Sequence, residues 1–180
     1  MSLRVTSRSR HEVSTHKTFQ KNEQAIHKAL NCYISERSFG ANVRDICRDS
    51  GISSPTFYAH SANVNSAYAD YEQSLVRKFV SSLPGRPIRK LIFTLLLSFA
   101  YHERAYFRAT SRNMDFYTLG RILDRVRLLL VGTQISDQSF TVYRNEIASL
   151  IMIWANFDHF KKAKIDFYLD KITKLRPKEW

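Results

Sequence analysis

The groups best suited to chemistry lie between positions 42 and 60, on two short helical stretches joined by a tight turn. Asn42-Val43-Arg44-Asp45 opens the first stretch. Asn42 can cap it, and Asp45, three residues on, suits the positive end of the helix. Asp49-Ser50-Gly51 stops it after about two turns. Ile52-Ser53-Ser54-Pro55 opens the second stretch, since a Ser cap followed by Pro marks a helix start. Ser54 as the cap with Pro55 at the first helical position fits best; a frame shifted by one residue is the alternative. With a longer helix before them, these two form a helix-turn-helix layout. In that layout the first helix of the pair crosses the nucleic-acid backbone and the second lies in the major groove. Arg44 can meet a phosphate, and free N–H groups at both helix starts can bind phosphate oxygens. The chemistry is recognition of a duplex, with no bond made or broken.

Covalent and metal chemistry find no support. The six histidines are scattered, and none forms a His-Glu-x-x-His pattern. His102-Glu103 and Asp158-His159 are adjacent pairs, and neighbours on a helix point in different directions. Cys32 and Cys47 make neither a disulfide framework nor a zinc set. Five scattered glycines cannot build a phosphate-cradling loop or a nucleophile elbow. The expectation is a protein that is not an enzyme, with no metal and no cofactor.

The elements that hold this constellation are helical throughout. Gly and Pro together number nine in 180 residues, about 5% against roughly 12% in average proteins, and no Asn-Gly or Asp-Gly hairpin signal occurs. Hydrophobic residues at 44% and charged residues at 24% are ordinary globular usage. Residues 1–17 carry Arg4, Arg8, Arg10 and Lys17 with few large apolar groups, which predicts a flexible basic arm. Phe19, Ile26, Ala29, Leu30, Tyr33 and Ile34 recur at helical spacing and predict a helix over 18–37. Helices are expected after the constellation over 65–82, 88–103, 105–114, 115–131 with Gly120 as the place for a kink or break, 139–160 and 164–175. The reading is all-α, with about nine helices: a three-helix helix-turn-helix domain over 18–63 and a helical ligand-binding and dimerisation bundle over 64–180.

Charge and hydropathy set the surroundings. The net charge is +12, and basic residues exceed acidic ones by four in each third of the chain. A basic protein attracts nucleic acid or anionic surfaces, but an even spread does not locate the partner. The longest nearly apolar run, Leu91–Tyr101, is too short for the roughly 20 residues that cross a bilayer. Residues 1–17 hold no apolar leader core. A soluble, cytoplasmic protein without membrane contact is expected.

At this point the residues resemble a family. Asn42-Val43-Arg44-Asp45-Ile46-Cys47 through Gly51-Ile52-Ser53 is similar to the T-V-R-D-I-A…A-G-V-S pattern of TetR-type transcriptional regulators. Ser54-Pro55-Thr56-Phe57-Tyr58-Ala59-His60 resembles that family's recognition-helix pattern K-G-T-L-Y-x-H. The likeness covers residues 24–68. A weaker one continues through Arg144–Asn156 and Ile165–Leu175, which look like the two late helices that pair across the dimer in that family. The resemblance implies that Arg44, Ser53, Ser54, Pro55, Thr56, Tyr58 and His60 face double-stranded DNA. For Phe57 core packing is preferred; for Tyr58 and His60 a core ring and a plain surface residue are the respective alternatives.

The same resemblance implies a homodimer, with Ile147, Leu150, Ile151, Trp154, Tyr168 and Ile172 at the interface. The residues support this in their own right, because 147–157 is apolar nearly all round and one subunit's core needs only a stripe. A small-molecule effector is the further partner implied, in a pocket of Tyr101, Tyr106, Phe107, Phe116 and Tyr117, with a filled aromatic core as the alternative. Two positions depart from the family: Ser61 stands where an aromatic ring is usual and Val64 where Lys is usual. The expected function is that of a sequence-specific, ligand-responsive repressor. The rival is a TetR-like adapter that has lost its operator and works through a protein partner.

Overall fold

The computed structural model describes residues 7–37, 40–85, 88–112, 117–131, 136–156 and 162–175, and all regular structure among them is helical. Ten helices follow in order: α1 (Ser7–Arg37), α2 (Val43–Ser50), α3 (Ser54–His60), α4 (Val64–Ser81), α5 (Arg89–His102), α6 (Arg104–Arg112), α7 (Tyr117–Arg125), α8 (Arg127–Val131), α9 (Asp137–Ala155) and α10 (Lys162–Lys174). The chain divides into two compact units, Met1–Tyr71 and Glu72–Trp180, with the division falling inside α4. None of the described helices is long and apolar enough to cross a membrane.

Two expectations are corrected at the helix ends. Residues 7–17, expected as a flexible arm, continue α1 without a break. No Pro or Gly interrupts the chain from Ser7 to Arg37, so nothing local stops the helix. Of the helix expected over 115–131, the described part, 117–131, forms two helices, and the kink or break expected at Gly120 is not there. The helix runs through Gly120, whose added Cβ would lie 3.9 Å from the Arg144 guanidinium, an ordinary contact. The break comes instead beside Val126, which is 1% exposed and sits between α7 and α8.

In the first unit α1, α2 and α3 pack on one another. The core is Ile26, Leu30 and Ile34 from α1, Ile46 from α2, Phe57 from α3 and Tyr71 from α4. The α1 residues fall at i, i+4 and i+8, one face of the helix.

In the second unit α5 packs against α6, α9 and α10, and α9 also against α7. Ile92, Phe93, Leu96 and Leu97 are wholly buried, as the apolar character of α5 requires. Arg89 ties three elements together: its Nη2 donates to the Tyr143 hydroxyl and to the Leu175 carbonyl, both at 2.6 Å. Trp154 Nε1 donates to the Leu97 carbonyl at 2.8 Å, which satisfies the one polar atom of the largest buried side chain.

Candidate nucleic-acid interface

The interface candidate is built by two capped helices and one glycine. Asn42 Oδ1 accepts the Asp45 N–H at 3.0 Å and starts α2. Gly51 ends it with φ 70°, the left-handed conformation that costs an L side chain energy and glycine nothing. Ser53, in extended backbone, then caps α3: its Oγ accepts the Thr56 N–H at 3.3 Å and pairs with the Thr56 hydroxyl at 2.8 Å. The cap is thus Ser53 rather than Ser54, and Pro55 stands one position further into the first turn. Pro is tolerated anywhere in that turn, because those N–H groups have no intrahelical acceptor.

The capping changes what these helix starts offer. Asp45 N–H and Thr56 N–H are taken by their own caps, Phe57 N–H bonds the Ser53 carbonyl at 2.9 Å, and Pro55 has none. At the α3 start the amides not taken by these bonds are those of Ser53 and Ser54, so capping leaves fewer free N–H groups than an uncapped start offers and side chains carry much of the exposed chemistry.

Phe57 is 0% exposed and pins α3 to the core, with the Tyr58 ring edge-on to it at 5.6 Å. Tyr58 itself is 57% exposed, so the alternative of a core ring is not what the structure has. Ser53, Ser54, Pro55 and Ala59 are exposed beside it, and Thr56 is half-buried under its bond to Ser53. His60 is half-buried and lies against Phe19 of α1, ring centroids 3.9 Å apart. Ser61 is 7% exposed and its Oγ donates to Asp70 Oδ2 at 3.3 Å. A cavity of about 40 Å³ next to it is lined by Phe19, Glu23, Ile26, His27, His60, Ser61 and Asp70.

On α2 Arg44 is exposed. Arg48, also exposed, is bound by Asp49 at 2.8 Å and Asp45 at 3.2 Å, and this pairing pushes its pKa up. The acids cancel the charge of Arg48, so Arg44 is the exposed cation of α2 outside that network. Sequence reasoning passed over Asn63, whose Oδ1 accepts Ser66 N–H at 2.9 Å while Ser66 Oγ accepts Asn63 N–H at 3.0 Å. The N-x-x-S spacing of a reciprocal cap was its available signal.

The candidate ligand and dimer residues are placed differently from expectation. Tyr106 and Phe107 are each 1% exposed, and the Tyr106 hydroxyl is engaged by Glu72 and Thr118. Tyr101 packs 6.1 Å from Trp154, whereas Tyr117 is exposed and holds Arg121 at 2.9 Å. Phe116 lies outside the described residues. These rings therefore do not line one apolar pocket; they are packing or surface groups. Two other cavities are described in this unit. One of about 600 Å³ is lined by Arg89, Lys90, Asp166, Leu169, Asp170 and Thr173, and one of about 260 Å³ by residues including Tyr117, Arg121 and Arg144.

Ile147, Ile151, Trp154 and Ile172 are 0% exposed and Tyr168 is 8% exposed within a single subunit, so none of them has surface to offer a partner. Of the expected interface set only Leu150 keeps partial exposure. The apolar residues on the outer face of α9 are instead Val142, Leu150 and Ile153, with the exposed Glu146 among them and Val142 and Ile153 about half exposed at 47% and 53%.

Among the described residues no three His, Cys, Asp or Glu side chains are placed to hold a metal ion. Cys32 is an exposed free thiol, and its hydrogen bond to Glu36 pushes its pKa up, the reverse of nucleophile activation. No protein-family model, no curated protein and no solved structure matches the chain. The family likeness therefore stands on the residues quoted between Asn42 and His60.

Proposed function

We propose that the chain is a sequence-specific DNA-binding regulator of the TetR type, acting as a homodimeric repressor in the cytoplasm, with α2 and α3 as its helix-turn-helix and α3 in the major groove. The observation that carries this reading is the division of labour on α3. Phe57 is wholly buried, while its neighbour Tyr58 and the Ser53–Pro55 start stand in solvent. A short helix anchored on one side and polar on the other is what groove reading requires. Tyr58, Ser54 and Thr56 supply base or sugar contacts, and Arg44 a phosphate contact. His60, stacked on Phe19, serves first to seat α3 and only by its edge to meet the backbone.

The dimer in this reading uses the outer face of α9, through Val142, Leu150 and Ile153, with Phe167 of α10 exposed at 55%. Two heads would then read half-sites of a near-palindrome about one helical turn apart, ~34 Å, or a multiple of it. An effector, in this reading, would enter a cavity of the second unit, one of which is about 600 Å³.

Selection of bound sequences from random duplex DNA tests the proposal. A recurrent near-palindrome, lost in Tyr58→Ala, is expected; weak salt-sensitive binding with no preferred sequence would defeat it. The adapter reading is favoured by one observation, the buried Ser61 where the family carries a ring. A stoichiometric protein partner together with a failed selection would establish it.

A further inference from the structure

Helices α5 and α10 pack on each other, and residues of both line the cavity of about 600 Å³, a volume suited to a ligand of drug-like size. Arg89 and Lys90 of α5 bring two cations to its wall. Asp166 and Asp170 of α10 bring two carboxylates, and the buried Leu169 adds an apolar patch.

Three of these four charges are uncompensated. Asp170 is held by Lys174 at 2.7 Å, whereas Arg89, Lys90 and Asp166 join no ion pair among the described residues. They line one cavity and do not pair across it. Arg89 is the most constrained of them. It is half-buried, its guanidinium lies 5.6 Å from the ring centroids of Phe93 and Tyr143, and Nη2 has only neutral acceptors, the Tyr143 hydroxyl and the Leu175 carbonyl. Its Nε is buried without an acceptor among the described residues. Ring faces and neutral oxygens hold a guanidinium in place, but a part-buried cation with no anion beside it costs free energy. Ile88 gives the N-terminus of α5 no side-chain cap, so the helix dipole adds to the attraction of an anion at this end.

A purely anionic ligand would meet the two aspartates, and a purely cationic one would meet Arg89 and Lys90. A molecule carrying both charges satisfies both sets. We infer that this cavity binds a zwitterion of dipeptide size, its carboxylate taken by Arg89 and Lys90, its ammonium by Asp166, and its apolar body lying on Leu169. As an effector site it rests on the reading given above; as a binding site it belongs to the second unit alone and is tested without DNA.

The full chain is titrated by calorimetry with alanyl-alanine, leucyl-leucine and phenylalanyl-phenylalanine, then with the N-acetyl and C-amide forms of whichever binds tightest. Saturable binding of at least one dipeptide, with a Kd of about 1 mM or tighter, is expected. Each capped form should bind about tenfold more weakly or worse. Lys90→Gln should weaken binding of the free dipeptide and leave that of the C-amide form unchanged. Asp166→Asn should weaken binding of the free dipeptide and leave that of the N-acetyl form unchanged. Both residues are exposed and unpaired among the described residues, so these variants keep the fold, whereas Arg89→Gln would also strip Tyr143 and Leu175 of a donor. No saturable binding of any of the three dipeptides overturns the inference. Binding that both caps or both substitutions leave unchanged overturns it too. Sensitivity to one cap alone overturns the zwitterion in favour of a singly charged ligand. Selection of a DNA sequence by the same protein is unaffected by any of these results, so the α3 reading stands or falls separately.

Discussion

His60 at the end of α3 rests on Phe19 of α1, with ring centroids 3.9 Å apart and planes tilted by 31°. This contact comes from outside the Asn42–His60 constellation and does the seating that an aromatic ring at position 61 would do. Ser61 bonds Asp70 and is one of the residues lining the cavity of about 40 Å³ beside this contact. Phe19→Ala should therefore loosen α3. An aromatic pair contributes about 0.5–1.5 kcal/mol, and the half-exposed ring adds little more. The expected result is a small loss of stability by urea unfolding, with lower DNA affinity and an unchanged preferred sequence. A changed sequence preference would mean that Phe19 reaches the DNA itself.

Phe57 and Tyr58 are adjacent in sequence and opposite in role. Phe57→Ala removes a wholly buried ring and should cost about 3–5 kcal/mol, unfolding the first unit or nearly so. Tyr58→Ala removes a mostly solvated ring and should change stability by no more than about 0.5 kcal/mol. Denaturant titration of the two variants, beside their DNA selection profiles, separates anchor from reader. Equal destabilisation by both would contradict the exposure of α3.

Gly51 sits at φ 70° with nothing within 4 Å of where a Cβ would stand. Substitution there meets backbone strain and no clash. Gly51→Ala should cost about 1 kcal/mol or somewhat more, and Gly51→Asn less, because Asn tolerates the left-handed region. Thermal unfolding of the two variants gives the order directly.

How far the sequence was legible depends on how local the cause was. Asn42 and Gly51 mark the ends of α2 because a side-chain cap and a left-handed glycine act within a few residues. The α3 start was legible to within one residue: Ser53 and Ser54 can each cap, and Pro55 tolerates both frames. Residues 7–17 carry no stop signal, yet no apolar stripe either, so periodicity could not find the helix there. Gly120 misled because glycine propensity is weak beside tertiary packing. On α9, apolar residues all round show that the helix is central without saying which side is inward. Choosing Ile147, Ile151 and Trp154 as outward needed contacts from α5 and α10 that lie far off in sequence. Of the expected pocket rings, Tyr106 and Phe107 are buried and Tyr117 is exposed, because helical spacing alone does not tell which neighbours a ring meets.

That correction moves the dimer test to other residues. Ile153→Glu, on the outer face of α9, should yield a folded monomer by light scattering if two copies meet there. Ile151→Glu, two residues away and wholly buried, should place an unpaired charge in the core and unfold the unit. A folded, still dimeric Ile153→Glu variant would direct attention to another surface.

The buried phenols make alkaline pH the destabilising direction. Burial raises the pKa of Tyr68, Tyr143 and Tyr168 above the ordinary 10.0; for Tyr143 the nearby Arg89 opposes this without reversing it, and for Tyr68 the Ala41 backbone does. In the unfolded chain these groups ionise near the ordinary value, while the folded chain holds them neutral. Their contribution is therefore fully present below about pH 10 and is lost as pH rises through the folded-state values. The urea midpoint should accordingly show no tyrosine-dependent change from neutral pH to about pH 9, then fall steeply. Tyr168→Phe is the cleanest probe, because burial is the sole cause of its shift and its hydroxyl can be deleted without removing a partner of Arg89. It should flatten the alkaline fall relative to the wild type. An identical fall in this variant would show that the Tyr168 phenol reaches water in the folded chain and ionises there as freely as in the unfolded one.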